Sequence, residues 1–276
     1  MKKNIIKFVG AIILTGSAWS CQQLDRPELG DYPKDDIVLP NGDLRFYIPF
    51  DKESHSLRVQ FSEELSGYPA FLPDQSIESQ QGIKNKAYKG SAKAALEYMS
   101  SNDFVEKAQS FTISYWMKHA PKTTNAEFVF SIASSNGHWS KSAMCLMNES
   151  TKDGIAIKMI TVDKNKKDNW FVWEKANAVP ASGFFDDQWH HCALVYDAAS
   201  SLLTFYVDGV QVGTPKAWKN HGAIDMDPSK AEKFILGGPA GNSSWMKPWN
   251  GGIDQFRLYA AALSASEVAQ LFNNKE

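Results

Sequence analysis

Residues 189–212 read WHHCALVYDAASSLLTFYVDGVQV, and this stretch decides the fold. Trp189 to Tyr196 reads as a strand, in which neighbouring side chains point to opposite faces. Leu202 to Val207 and Val210 to Val212 are two further alternating runs, separated only by Asp208-Gly209. A two-residue Asp-Gly loop suits a type I′ turn, whose twist matches that of paired strands. The segment therefore predicts a strand feeding a tight hairpin. Its concentration of titratable groups reads as a marker of the fold. His190 and His191 are adjacent, so they diverge, and a zinc site needs three or four converging ligands. The spacing predicts one histidine on the core side with a hydrogen-bond partner, and the other on the opposite sheet surface. Cys192 shares a face with His190 and Leu194 and reads as packing. Asp186 and Asp187 fall in the preceding turn.

The same rhythm extends outward. Leu44–Phe50, Phe111–Met117, Glu127–Ile132, Ala143–Met147, Gly154–Val162, Trp170–Glu174, Phe234–Leu236 and Ile253–Tyr259 all read as strands between turn residues. In FTISYWM, Phe111, Ile113, Tyr115 and Met117 share one face. Lys93–Met99 reads as a strand or a helical turn. Aromatic content is 12%, with nine Trp, which leans towards β structure. The end of the chain differs. Ser264 is followed by Glu267, forming a capping box, and Leu263 and Val268 stand at staple offsets. A short helix from about Ser264 to Phe272 is predicted, with Val268, Leu271 and Phe272 on its apolar face.

Four stretches, LRFYIPFD, SFTISYWM, DDQWHHCALVYD with LTFYVDG, and GGIDQFRLYAAALSASEVAQLF, together resemble the laminin-G-like and concanavalin A-like lectin/glucanase superfamily. They run from about Leu44 to Phe272. The resemblance implies an all-β fold, a two-sheet antiparallel jelly-roll sandwich with a short C-terminal helix. It does not by itself imply a function, because this fold hosts lectins, hydrolases, lyases and adhesion modules.

The first residues are read apart from the domain. Lys2, Lys3 and Lys7 precede a short apolar run, Phe8–Leu14, too short to span a membrane as a helix. Ala18-Trp19-Ser20-Cys21 resembles a bacterial lipobox, which implies lipidation of Cys21. Gln22–Pro40 carries five acidic residues and three prolines and reads as a solvated tether. The expected order is a signal peptide (1–20), a lipid-anchored tether (21–40) and a sandwich domain (41–276), on the outer membrane of a Gram-negative bacterium and facing outward. The net charge of −2 gives no footprint for nucleic acid. Cys145 and Cys192 lie in apolar runs and read as free, buried thiols.

Candidate chemistry is sparse. Glycosidases need two carboxylates about 5–10 Å apart. The superfamily's glucanases carry a Glu-x-Asp-x-x-Glu strand, and no such pattern occurs here. Glu63-Glu64 and Asp186-Asp187 fall in loops, while Glu127 and Glu174 stand alone near strand ends. The resemblance implies instead a structural Ca²⁺ held by Asp51 and Asp254, with Gly251 and Gly252 letting the backbone approach. Sugar binding uses exposed aromatic faces and a few polar groups. The candidates are the loop tryptophans Trp139, Trp218, Trp245 and Trp249, with Asn242, Asn250 and His138 as hydrogen-bonding partners. Trp116 and Trp189 read as packing. The leading expectation is a non-catalytic lipoprotein that binds polysaccharide or glycan at the cell surface, with protein partners in a glycan-uptake system. The alternative is an adhesion or scaffold module that binds a protein or envelope partner. A glycoside hydrolase or polysaccharide lyase ranks third.

Overall fold

The computed structural model describes residues 42–51, 70–71, 78–91, 93–123, 125–177 and 183–275. Cys21, the signal-like segment, the tether and Glu63-Glu64 lie outside the described residues. In chain order the strands are β1 (Leu44–Ile48), β2 (Ala70–Phe71), β3 (Glu78–Gln81), β4 (Lys86–Lys89), β5 (Leu96–Tyr98), β6 (Phe111–Lys118), β7 (Ala126–Ser134), β8 (Ser142–Thr151) and β9 (Gly154–Val162). They continue with β10 (Asp168–Trp173), β11 (Trp189–Asp197), β12 (Leu202–Val207), β13 (Val210–Gln211), β14 (Lys216–Ala217), β15 (Ala231–Leu236), β16 (Met246–Pro248) and β17 (Gly252–Tyr259). A four-residue helix, α1 (Phe104–Lys107), precedes β6, and α2 (Ala265–Asn273) follows β17.

Among the described residues the first sheet runs β13-β12-β11-β6-β17-β4-β3, with β1 on β17 and β14 on β12. The second runs β10-β9-β8-β7-β15-β5-β2, with β16 on β7. Apart from the β16–β7 contact the pairings are antiparallel. This is the predicted concanavalin A-like jelly-roll sandwich. The core lies between the sheets. Ile113, Tyr115 and Met117 of β6 and Cys192, Leu194 and Tyr196 of β11 meet Phe130, Leu146, Met159 and Phe171 of the facing sheet. Burying each such side chain contributes about 1.5–3 kcal/mol.

The deciding hairpin forms as read. Val207 pairs with Val210 across the turn, and Asp208 and Gly209 both have positive φ, 51° and 80°, as a type I′ turn requires. Helix α2 carries the full capping box. It docks on the outer face of the first sheet through Val268, against Ala193, Val195 and Tyr206, and Phe272 packs on Trp116 at 5.6 Å.

Several expectations change. His191 faces outward, yet α2 covers it and it is fully buried. Trp116 packs, but on that same outer face. His190 sits at the strand's entry and bonds to Asp208 at 2.7 Å and Asp186 at 3.2 Å. The 93–99 segment resolves as strand β5, and α1 was not foreseen. Strands β3 and β4 were missed because ESQQ and KAYK are short and carry little apolar alternation; β3 lies at the sheet's edge and β4 between it and β17. Glu127 does not stand alone: it is buried, bonded to His119 at 2.8 Å and to the Asn250 N–H at 2.8 Å. Cys145 and Cys192 are free and buried.

Candidate functional site

Strands β8 and β9 are apolar on both faces. Their inner side chains join the main core, while Cys145, Met147, Ile160 and Val162 point the other way. Together with Ala126, Phe128 and Met246 these form a separate buried cluster on the outer face of the second sheet. A buried apolar layer on an outer face needs a cover. The register runs Trp170–Ile160–Cys145 across β10, β9 and β8, so Trp170 stands beside this floor.

Two loops complete the cover. In the β7–β8 loop, Asn136 Oδ1 accepts from the His138 N–H at 2.9 Å and its Nδ2 donates to the Ser142 carbonyl at 3.0 Å. Gly137 supplies a positive φ of 79°. This holds Trp139 over the sheet, 5.3 Å from Trp170 between ring centroids and 5.5 Å from Trp245. Trp245, at the end of the Gly238–Trp245 loop, lies 6.3 Å from Phe128 of the floor. The result is a row, Trp170–Trp139–Trp245, tilted by 31° and then 40°. Its members are 40%, 41% and 40% exposed. An apolar underside and an open upper side make it a platform.

One end of the row has a polar rim. Ser140 Oγ and the Ser140 N–H engage His138 Nδ1 at 2.7 and 3.3 Å, which leaves Nε2 for other partners. That nitrogen faces Asp168 Oδ2 at 3.3 Å, and the same oxygen accepts from Trp170 Nε1 at 2.8 Å. Asn242 is exposed in the loop leading to Trp245.

The sequence candidates thus separate. Trp139 and Trp245 come together, with His138 on the rim and Asn242 exposed three residues before Trp245. Trp249 does not join them. It is fully buried, packed 4.5 Å from His119, and has no face to offer. Trp218 is buried and stacked on His221 at 3.5 Å. Trp170 and Asp168 were not foreseen. The available signal was the run AMCLM facing IAIKMITV, apolar on both faces, which implies that something covers the outside.

The carboxylate pair is a second feature. Asp254 is buried at the bulge of β17, with Gln255 at φ 46°. Its Oδ2 accepts from the Ile83 N–H at 2.7 Å and its Oδ1 from the Gln255 N–H at 2.8 Å. Gly82 leaves room for this carboxyl where a Cβ would collide with it. Asp51 meets the same β3–β4 turn, accepting from the Lys86 N–H at 3.4 Å. Burial, with the Asp51 charge adding to it, pushes the Asp254 carboxyl up to about 7 despite the two N–H donors. Charge and oxygen chemistry suit a hard cation. Calcium takes six to eight oxygens, so carbonyls and water would have to complete the shell; no cluster of three or more acidic, His or Cys side chains occurs among the described residues.

Comparison with known proteins agrees with the architecture. Domain 4 of AbnA, an extracellular arabinanase of Geobacillus stearothermophilus solved with arabinotriose, aligns over 83% of this chain and 98% of its own, at 17% identity and TM-score 0.55. The binding domain of botulinum neurotoxin serotype D aligns over 84% and 51%, at 14% identity and TM-score 0.57. The binding domain of Paraclostridial Mosquitocidal Protein 1 aligns over 84% and 52%, at 16% identity and TM-score 0.57. The chain spans about half the length of these last two. No match was found among curated proteins. A family model described as concanavalin A-like lectin/glucanases superfamily, Laminin_G_3, matches residues 92–269, well over half of the chain. With the sandwich, its hairpin and its capped terminal helix all in place, the chain belongs to this laminin-G-like family of the concanavalin A-like superfamily.

Proposed function

We propose that the chain is a non-catalytic glycan-binding module whose Trp170–Trp139–Trp245 row stacks on sugar rings. One observation carries the reading: three indoles from three separate segments lie side by side, each about two-fifths exposed, over a buried apolar floor. Trp116, Trp173 and Trp249, by contrast, are buried. A contiguous exposed apolar patch with a polar rim marks an interaction surface. Indole faces suit the C–H faces of sugars, and His138, Asp168 and Asn242 suit their hydroxyls. The arabinotriose complex of the AbnA domain supports a sugar ligand on this architecture.

In the same reading Cys21 carries a lipid, and residues 22–40 tether the module to the outer membrane of a Gram-negative cell, facing outward. Support comes from the basic, apolar and small-residue pattern that ends at Cys21. Asp51 and Asp254 hold a structural Ca²⁺ that fixes the β3–β4 turn, supported by the paired carboxylates and the raised Asp254 carboxyl. A second reading, attachment to a protein partner, draws on the exposed apolar row itself, since such patches also mark protein interaction sites. The row would then anchor a protein.

Affinity electrophoresis through gels containing a panel of polysaccharides separates the two. Retardation by a glycan, lost in Trp139→Ala, supports the first. No retardation by any polymer, with a protein recovered by crosslinking, supports the second. Reducing sugar released from the panel would make the chain an enzyme.

A further inference from the structure

We propose that the aromatic row takes an acidic glycan, one whose sugars carry carboxylate or sulfate groups. This rests on the row being a sugar platform and adds its charge preference. Around the row the acids are engaged. Asp168 receives Trp170 and His138. Asp163 faces His221 Nε2 at 3.0 Å and accepts from the Asp225 N–H at 3.1 Å. Asp225 pairs with Lys164 at 2.6 Å, and Glu149 with Lys158 at 2.7 Å.

Two lysines at the Trp139 loop have no acidic partner among the described residues. Lys166 tops the β9–β10 turn at φ 63°, fixed by its N–H on the Asp163 carbonyl at 2.8 Å. Its Nζ lies 3.6 Å from the place a Cβ on Gly137 would take, beside the loop that carries Trp139. Lys141 is exposed in that same loop, its N–H on the His138 carbonyl at 3.0 Å. The Gly238–Trp245 loop carries no charge. In a chain with a net charge of −2, the Trp139 loop has one such lysine within it and another beside it. A sugar stacked on an indole presents its ring substituents sideways. An acidic substituent would then meet Lys166 or Lys141, in a contact that salt screens.

The test compares retardation by polygalacturonate, its methyl-esterified form, dextran sulfate and dextran, at low and high NaCl. The acidic member of either pair should bind roughly five- to tenfold more tightly than its neutral counterpart, an effect expected of two exposed ion pairs. High salt and the double variant K141Q/K166Q should both remove that preference. Preference within the first pair identifies carboxylate, and within the second sulfate. Equal retardation by acidic and neutral polymers, lost in Trp139→Ala, would overturn the charge preference and leave the sugar platform standing. Acid preference that survives Trp139→Ala would overturn this inference, because charge would then act without the row. Absence of retardation by every polymer would overturn both.

Discussion

Trp139 and Trp170 meet at 5.3 Å, ring centroid to ring centroid, with their planes 31° apart. One belongs to a loop and the other to the edge strand β10, so only the folded sheet brings them together. Trp139 is also the link to Trp245, so Trp139→Ala removes the centre of the row. If the lost stacking is worth about 2 kcal/mol, glycan affinity should fall about thirtyfold. The melting temperature should move little, because one face of the ring is already in solvent. Affinity gels and a thermal melt on the same variant read both quantities.

Trp249→Ala should show the reverse signature. This ring is fully buried between His119 and Phe185, so its truncation leaves a cavity and costs about 3–5 kcal/mol of stability. Urea denaturation should show that loss. Glycan affinity per folded molecule should stay near wild type.

The Asp254 carboxyl predicts a pH dependence with a definite sign. Its folded pKa, about 7, lies above the unfolded value of about 3.9. The native state therefore holds a proton that the unfolded state releases. Stability from this group is complete below pH 4, falls as pH rises to 7, and stays lost above. In EDTA this slope should be present in the wild type and absent in Asp254→Asn. The slope is the readout, since an asparagine accepts from only one of the two N–H donors. Calcium, which binds the ionised form, should raise the midpoint at pH 8. No shift on adding calcium, with no bound metal by elemental analysis, would remove the cation.

His191 predicts the opposite slope. Burial pushes its imidazole down to about 4, and the Arg257 charge adds to the effect. Its Nε2 meets Ser114 Oγ at 2.9 Å. The unfolded chain takes up a proton near pH 6.5 that the native state refuses, so stability falls as pH drops from 6.5 towards 4, by about 3 kcal/mol at most. His191→Gln, which can still bond to Ser114, should flatten that fall in urea titrations at pH 7 and pH 4.5.

Local signals made much of the fold legible. The Asp208-Gly209 turn, the alternating face of β6 and the Ser264–Glu267 box depend on residues close in sequence, and each formed as read. The site depended on contacts that no local pattern contains. Alternation puts Trp170 and Val172 on one face of β10 and Phe171 and Trp173 on the other, but it does not say which face meets the core. Trp249 and Trp245 stand in the same polar segment, yet one is fully buried and the other 40% exposed. Between them β16 pairs with β7, and beyond it Trp249 packs on His119 while Trp245 stays with Trp139. One of the two histidines was read as lying on the opposite sheet surface; that one is His191, and its burial follows from where α2 docks.

The most direct test of the glycan platform is Trp170→Ala, because this residue was identified by the fold and not by its sequence context. Affinity gels with the polysaccharide panel should show retardation of the wild type by at least one polymer, and its loss in Trp170→Ala at unchanged melting temperature. Undiminished retardation in Trp170→Ala and in Trp139→Ala would contradict the account, since sugar would then bind elsewhere on the sandwich.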